Sequence, residues 1–224
     1  MDSKQTNILN IITNNVRGLG DKGKRKTYFH WLKIKNIDIA CIQETFITKN
    51  NEKLITSDWE GHMLNACSNS SHSRGVSIIF RKDIGVEIKN EYTSQDGRIA
   101  LINFEYCEKL YTVCNIYAPI KTKDKINFFS ELEQFLQDKM APNYNLILCG
   151  DMNTYSVEDN SPKIDNASLK MDELIQKFKL KDSYRTTHRD QKGFTYIKPA
   201  NATISSRIDY IFIEKKTNRK NKIV

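Results

Sequence analysis

The sequence lacks long apolar runs, cysteine pairs with metal-binding spacing and internal repeats. No stretch approaches the roughly 20 consecutive apolar residues that a membrane-spanning helix needs. The N-terminus, MDSKQTNILNIIT, has no basic region followed by a long apolar region, which argues against a secretory signal. None of the five cysteines belongs to a CxxC pair, so a structural zinc site is not expected.

The composition that remains is typical of a soluble globular protein. The length of 224 residues suits one large domain or two small ones, and the chain is 39% hydrophobic and 28% charged. Cys41, Cys114 and Cys149 lie in apolar, strand-like runs, where a reduced and buried thiol is the ordinary state. We therefore expect a reducing, intracellular compartment.

The net charge of +8 favours polyanionic partners such as nucleic acid or acidic membrane surfaces. Much of the surplus lies in two runs, residues 22–26 and residues 215–222. The second run is typical of a linker or an exposed tail. Charge alone is a weak indication, because many basic proteins bind nothing acidic.

Apolar periodicity predicts many strands and a few helices. The predicted strands cover residues 8–13, 38–42, 75–81, 84–88, 98–104, 110–117, 146–149, 194–197 and 208–213. Polar loops are predicted between the second strand and the strand at 75–81. Helices are predicted over 24–35, 124–140 and 169–178, the first with Tyr28, Trp31 and Leu32 on its apolar side. This pattern indicates one domain of packed β-sheets covered by helices.

One stretch combines a strand with polar chemistry. Residues 146–149, Leu-Ile-Leu-Cys, run directly into Gly150, Asp151, Met152 and Asn153. The run is short, which favours a buried strand over a helix, and the glycine allows a sharp turn at its end. The aspartate and the asparagine can then hold a metal ion or a water against a phosphate. The alternative is an Asx-rich turn after a core strand, which is commoner for any one such tetrapeptide.

Polar side chains recur at or near the ends of the predicted strands. They are Asn14, Glu44, Tyr117, Asp151, Asn153, Thr195 and Asp209. Sheet folds build sites at strand ends, because a rigid scaffold fixes the side chains while the loops stay exposed. Each residue alone also has an ordinary interpretation as a cap, a solvated carboxylate, a rim tyrosine or a strand residue. Their order and shared placement favour a site.

The chemistry of these residue types is that of a metal-assisted phosphate site. A carboxylate such as Glu44, together with Asn and Asp oxygens, suits Mg²⁺, which takes few protein ligands and keeps several waters. Asn153 and Tyr117 can donate hydrogen bonds to phosphate oxygens, and Asp151 can orient or deprotonate a water.

Asp209 lies in the run Ser-Arg-Ile-Asp-Tyr at residues 206–210. If its carboxylate is buried, it needs a partner, and a histidine is a natural one. The alternative is a structural ion pair with Arg207 or a lysine.

The motifs in this order resemble the exonuclease–endonuclease–phosphatase superfamily, which includes apurinic endonucleases, the deoxyribonuclease I group and inositol polyphosphate phosphatases. They are Asn14, QET at 43–45, NIYAP at 115–119, GDMN at 150–153 and SRIDY at 206–210. NVRGL at 15–19, the basic helix at 24–35 and DIA at 38–40 are more similar to the apurinic-like endonuclease domain of LINE-type (non-LTR) retrotransposons. The resemblance covers residues 8–213.

For the fold, the resemblance implies an α/β four-layer sandwich with two central, mainly antiparallel sheets flanked by helices and with its last segment missing. The domain would occupy residues 1–213, and residues 214–224 would be a basic tail or a truncated continuation. The implied cofactor is Mg²⁺, with Mn²⁺ as a substitute.

The resemblance also implies roles for individual residues. The metal would be bound or placed by Glu44, Asn14 and Asp151. The substrate would be contacted by Asn14, Tyr117, Asn153 and Thr195. Catalysis would involve Asp151, Asn153, Tyr117 and Asp209. The substrate would be DNA, nicked to leave a 3′-hydroxyl that primes reverse transcription, and the domain would be part of a polyprotein with a reverse transcriptase acting in the nucleus, not at a membrane.

One departure from the family pattern concerns a histidine that follows the position of Asp209 in such proteins. No histidine follows Asp209 here; the four histidines are His30, His62, His72 and His188. We therefore expect a truncated piece or a degenerate copy that cleaves poorly. Two alternatives stay open: a phosphodiesterase or phosphatase acting on a small molecule or lipid, and a non-catalytic nucleic-acid-binding remnant.

Overall fold

A computed structural model describes residues 8–159, 161, 163–197 and 205–214. The strands are β1 (Ile11–Asn15), β2 (Ile39–Gln43), β3 (His62–Ala66), β4 (Val76–Phe80), β5 (Val86–Thr93), β6 (Ile99–Tyr106), β7 (Lys109–Tyr117), β8 (Asn145–Asp151), β9 (Leu180–Asp182), β10 (Tyr196–Ile197), β11 (Ser205–Ser206) and β12 (Asp209–Glu214). The helices are α1 (Lys22–Ile34), α2 (Glu52–Thr56), α3 (Thr122–Lys139), α4 (Asn166–Lys177) and α5 (Ser183–Thr187), with a 3-10 turn at Val157–Asp159.

Two mainly antiparallel sheets form the centre of the molecule. The four-stranded sheet has the order β1-β2-β4-β3, and the six-stranded sheet has the order β5-β6-β7-β8-β12-β9. Two neighbouring pairs, β1 with β2 and β7 with β8, run parallel. A short ribbon of β10 and β11 lies apart from both sheets.

Three apolar clusters separate four layers. One packs α1 and α2 on the four-stranded sheet, one lies between the two sheets, and one packs α3 and α4 on the six-stranded sheet. The first four residues of β2 are all apolar because both faces of the strand are covered: Ile39 and Cys41 face the other sheet, whereas Ala40 and Ile42 face the helices. A strand buried on both faces has no polar alternation. The predicted four-layer α/β sandwich is confirmed.

Helix α1 buries Leu32, as predicted, together with Arg25 and Phe29, and the predicted Tyr28 is partly buried against the same cluster. Trp31, also predicted on the apolar side, is 41% exposed. The guanidinium of Arg25 donates to Asp58 Oδ2 from Nη2 at 2.5 Å and to the Leu19 carbonyl at 2.8 Å. A buried charge is tolerated when it is paired and hydrogen-bonded, so the side chain of Arg25 can lie in the interior.

Several elements lie where polar loops or no element were predicted. They are α2, β3, β9 and α5. Strand β3 does not form a continuous apolar run because it includes Asn65, whose buried amide is hydrogen-bonded to Ser77 and Thr56. The last predicted strands are nearly correct, but Thr195 precedes β10 instead of lying within it. The basic run at 215–222 lies outside the described residues, and no described helix is long and apolar enough to cross a membrane.

Candidate active site

Strands from both sheets end at one edge of the sandwich. The parallel pairs bring the carboxyl ends of β1 and β2, and of β7 and β8, to the same side. Across the six-stranded sheet, Asp151 is in register with Tyr117 on β7 and with Asp209 on β12. Strand β12 is antiparallel to β8, so Asp209 is the first residue of its strand while Asp151 is the last of its own. The topology thus gathers residues that lie far apart in the chain.

Glu44 is held by side chains from two other strands. The hydroxyl of Tyr117 donates to Glu44 Oε1 at 2.8 Å, and the amide of Asn15 donates to the same oxygen at 3.0 Å. The backbone of Glu44 has a φ of 51°, in the left-handed region that non-glycine residues rarely adopt. Such strain persists only where the surroundings impose it, and it commonly marks functional positions.

A pair of buried amides behind Glu44 ties the two sheets together. Gln43 Nε2 donates to Asn115 Oδ1 at 2.6 Å and to Thr13 Oγ1 at 3.0 Å. Asn115 Nδ2 in turn donates to the carbonyls of Ile42 and Ser77 at 2.9 Å. The sequence motifs contained both residues, but no role was predicted for them. Each fixes a strand whose next residues carry Glu44 or Tyr117, so this pair orients the site.

Asp151 lies at the bottom of the site and is 5% exposed. Its Oδ1 accepts the Asn153 backbone N–H at 2.9 Å, and its Oδ2 accepts from Asn15 Nδ2 at 3.3 Å. Burial, and then the nearby charge of Asp209, raise the pKa of Asp151 to about 7. A carboxyl with that pKa can take a proton from a water near neutral pH.

The glycine before Asp151 is required by the sheet. A Cβ on Gly150, whose φ is 140°, would lie 2.1 Å from the carbonyl oxygen of Ile116 on β7. Beyond the strand, Asn153 has a φ of 47°, and its amide donates to the Ala118 carbonyl at 2.8 Å. The buried Lys125 of α3 donates to the Asn153 carbonyl at 2.8 Å. The turn after β8 is therefore fixed from two sides.

Asp209 has a buried oxygen, Oδ1, with no hydrogen-bond partner among the described residues. Burial raises the pKa of Asp209. Thr195 stabilises the backbone beside it, because its hydroxyl oxygen accepts the N–H groups of Ile208 at 3.1 Å and Asp209 at 3.2 Å. The alternative ion pair with Arg207 does not form, since that guanidinium contacts Asp159 and Asp182.

The structure places Asn15, not the predicted Asn14, between the carboxylates. Side chains alternate across a strand, so neighbouring residues point to opposite faces. Asn15 bonds Glu44 and Asp151, whereas Asn14 is exposed and lines open cavities beside the site. The contacts that orient the carboxylates are therefore made by Asn15, for which no role was predicted, and the metal- and substrate-binding role of Asn14 stays a prediction.

His188 lines the same cavity as Asp209, the carboxylate for which a histidine partner was expected. It lines a cavity of about 700 Å³ together with Asp209 and Thr195. Its ring stacks on Tyr184 with centroids 4.7 Å apart, and its Nδ1 lies 2.8 Å from the Thr187 hydroxyl. The described contacts of His188 are thus within its own helix and not with Asp209.

The donor groups fit a hard divalent cation held by few protein ligands. Within the described ranges, no three His, Cys, Asp or Glu side chains come close enough to enclose a metal ion by themselves. The available atoms are carboxylate oxygens of Glu44 and Asp151 and the unpartnered oxygen of Asp209. Mg²⁺ binds through one or two carboxylates plus water and substrate oxygens, so this set fits it.

Basic side chains flank the carboxylates on two sides. A cavity of about 510 Å³ runs from Asp151 and Asp209 to Arg17 and Lys24. On the side of Glu44, a cavity of about 330 Å³ is lined by cations that include Arg74, Arg98 and Lys121. An acidic centre between basic walls combines sites for a cation and for an anionic substrate.

Several known proteins are similar to this chain in sequence or in fold. The sequence is 27% identical over 213 residues to a 149 kDa protein of the transposon TX1 of Xenopus laevis, a match that covers 92% of this chain and 16% of that protein. The AP endonuclease of Archaeoglobus fulgidus superposes with a TM-score of 0.72 at 22% identity, covering 92% of this chain and 86% of that one. The mannosyl-6-phosphatase Bt3783 of Bacteroides thetaiotaomicron VPI-5482 superposes with a TM-score of 0.67 at 17% identity, covering 92% and 85%.

The predicted resemblance to LINE-type elements is confirmed by the transposon relative, and the AP endonuclease neighbour shares the predicted fold. Residues 6–221 match the endonuclease/exonuclease/phosphatase family. The match extends over nearly the whole sequence, and the four-layer sandwich agrees with it. The chain belongs to the endonuclease/exonuclease/phosphatase family.

Proposed function

We propose that this domain is a Mg²⁺-dependent DNA endonuclease that nicks one strand and leaves a 3′-hydroxyl, as part of a retrotransposon-like polyprotein with a reverse transcriptase. Mn²⁺ would substitute for Mg²⁺, and the domain would act on DNA in the nucleus. The observation that carries the proposal is the cluster of Glu44, Asn15 and Asp151 beside the unpartnered oxygen of Asp209, between two basic cavities.

Each residue has a defined part in the proposed reaction. Glu44 and Asp151 would hold the ion, which neutralises charge on a phosphoryl oxygen. Asp151 would accept the proton of the attacking water as the water oxygen bonds to phosphorus. The bond from phosphorus to the 3′-oxygen would break, and the departing 3′-oxygen would take a proton from solvent to give the 3′-hydroxyl. Asn153 would donate the second hydrogen of its amide to the phosphate, and Tyr117 would donate its hydroxyl hydrogen once it turns from Glu44. Thr195 would keep the start of β12 in place.

Slow cleavage by the 224-residue chain is a further part of the proposal. Asp209 Oδ1 has no partner in the described part of the chain, and no histidine follows it in the sequence. An acid–base group or an electrostatic stabiliser typically contributes about 10²–10⁴-fold to a rate. We expect cleavage to be slower by a factor in that range than in a version that supplies an imidazole to Asp209.

A phosphatase of small phosphorylated molecules is the second candidate, favoured by the likeness of the fold to a mannosyl-6-phosphatase. The basic walls on both sides of the carboxylates favour a longer polyanion instead. A non-catalytic nucleic-acid-binding remnant is the third candidate, and the lone oxygen of Asp209 is the feature that favours it.

A nicking assay on supercoiled plasmid with Mg²⁺ separates the three. It would use this chain and its Asp151→Ala variant, each with and without added imidazole. Nicking that Asp151→Ala abolishes supports the endonuclease, and faster nicking with added imidazole supports the slow cleavage of the chain alone. Hydrolysis of a small phosphate ester without nicking favours the phosphatase, and DNA binding without any hydrolysis favours the remnant.

A further inference from the structure

A basic cavity adjoins the acidic cluster on the side of Glu44. Its volume is about 330 Å³, and Glu44 and Tyr117 form the part shared with the cluster. Its other lining residues include the cations Arg74, Arg98 and Lys121, together with His72 and the carboxylate of Asp124. Whatever fills this cavity therefore lies directly beside whatever is bound at Glu44.

The loops that carry these cations are bonded to the loop of Glu44. The N–H groups of Thr45 and Phe46 donate to the carbonyls of Gly75 and Arg74, both at 3.0 Å. The Gly75 N–H donates in turn to the Gly97 carbonyl at 3.2 Å. A Cβ on Gly75 would lie 2.5 Å from Thr45 Oγ1, so the loops approach as closely as a glycine allows. The backbones of Arg74 and Glu44 thus have a fixed spacing.

Arg98 is partly buried in this wall, with a side chain 13% exposed. Its Nη1 donates to the Tyr117 carbonyl at 2.8 Å, and its guanidinium lies 5.4 Å from the centroid of the Tyr117 ring. Its Nε also forms a salt bridge with Asp96 Oδ2 at 3.4 Å, on a side chain that is 48% exposed. Burial, and then the charge of Arg74, lower the pKa of Arg98. Two guanidinium groups therefore repel each other at this wall, and an anion between them would relieve the repulsion.

We propose that Arg74, Arg98 and Lys121 form a flanking-phosphate site, which binds the DNA phosphate next to the one that is cleaved. The inference rests on the proposed function and adds the path of the DNA strand. The cavity shares Glu44 and Tyr117 with the acidic cluster, so a strand whose scissile phosphate lies at Glu44 can continue into it, and its neighbouring phosphate would then meet these three cations. Arginine and lysine bind phosphate oxygens through charge-assisted hydrogen bonds.

The test is the salt dependence of binding to a duplex oligonucleotide, measured with Ca²⁺ in place of Mg²⁺ for the parent chain, Arg74→Gln and Lys121→Gln. Both residues are exposed, so neither substitution disturbs the core. Each lost phosphate contact lowers the slope of log affinity against log salt by about 0.9. The matched control is Lys82→Gln. Arg74 precedes β4 and Lys82 follows it, so this exposed lysine is at the far end of the same strand.

We expect lower slopes for Arg74→Gln and Lys121→Gln and an unchanged slope for Lys82→Gln. Equal slopes for all four proteins overturn the flanking-phosphate site, even if plasmid nicking supports the endonuclease. Lower slopes for the two site variants without any nicking support the site while the proposed hydrolysis fails. If the two variants weaken only inhibition by inorganic phosphate and leave the DNA slopes unchanged, the cavity binds a free phosphate and the assignment to DNA is overturned.

Discussion

Two groups of buried and partly buried carboxylates lie near the start of β12, and they differ in how their charge is balanced. In the acidic cluster of the candidate site, Glu44, Asp151 and Asp209 have amide, hydroxyl and backbone donors but no guanidinium or ammonium bonded to them among the described contacts. In the second group, Asp159 and Asp182 share Arg207.

The second group is internally compensated. Asp159 Oδ1 accepts from Arg207 at 2.5 Å and from Arg185 at 2.6 Å, and its Oδ2 accepts the Tyr210 hydroxyl at 2.8 Å. Burial raises the pKa of Asp159, but the hydrogen bonds from Arg207, Arg185 and Tyr210 outweigh burial, so its pKa is below the ordinary value.

The difference separates a structural group from a functional one. A buried carboxylate with bonded arginines needs nothing from outside, whereas one without a counter-charge costs free energy until a cation binds. Perturbed carboxyl groups that face an open cavity are typical of functional sites. The opposite pKa shifts of Asp151 and Asp159 therefore favour the proposed catalytic role for Asp151 and a structural role for Asp159.

The largest expected effect is on the reaction. Asp151→Asn should slow Mg²⁺-dependent nicking by about 10²–10⁴-fold, because it removes the group that takes a proton from water. The measurement is the initial rate of plasmid nicking. Asp138→Asn, an exposed change on α3, is the control and should leave the rate near that of the parent chain. A normal rate for Asp151→Asn would remove this carboxylate from the mechanism.

Breaking the compensated group should cost stability. Arg207→Met leaves Asp159 and Asp182 buried without their shared cation, so we expect the free energy of unfolding to fall by about 3–5 kcal/mol. Urea denaturation measures it, with Arg189→Met, an exposed change, as the control. A loss no larger than that of the control would mean that Arg207 does not balance the pair.

The two groups should respond to pH in opposite directions in the metal-free protein. Asp151 has a pKa of about 7 in the folded protein against an ordinary value of 3.8. Its contribution to the free energy of unfolding is therefore complete below about pH 4 and is lost as pH rises through 7. The pKa of Asp159 is lowered, so its contribution is present above the ordinary value and is lost as pH falls through the folded pKa.

Urea denaturation in EDTA at several pH values tests this contrast. As pH rises from 4 to 7, we expect the free energy of unfolding of Asp151→Asn to increase by roughly 1–3 kcal/mol relative to that of the parent chain. This is less than the full 1.36 kcal/mol per pKa unit, because the cavity admits water. Asp138→Asn should show no such gain. A constant difference between Asp151→Asn and the parent chain across this range contradicts the raised pKa.

The smallest expected effect distinguishes neighbouring asparagines. Asn15→Ala removes the amide that orients Glu44 and Asp151 and should lower metal affinity or nicking by about 10–100-fold, as substitutions of groups behind metal ligands do. Asn14→Ala should stay near the parent chain. Metal titration and nicking rates measure both variants. Equal losses would show that the contacts of Asn15 carry no special weight.

The strand-end residues were predictable because an apolar run and the polar residue after it are contiguous in sequence. This holds for Glu44 after β2, for Tyr117 at the end of β7 and for Asp151 at the end of β8. The contacts that orient them were not predictable. Gln43 and Asn115 are 72 positions apart, and Asp159 and Arg207 are 48 apart, so only the sheet topology brings them together.

The amino-acid sequence by itself determined the residue types of the site and the apolar runs of the two sheets, because local order and side-chain chemistry are properties of the chain. Tertiary structure decided that Asn15 faces the carboxylates, that Arg25 of α1 faces the interior, and that Asp159 is neutralised while Asp151 is not. The reason is that orientation, burial and charge balance depend on partners that folding brings from distant parts of the chain.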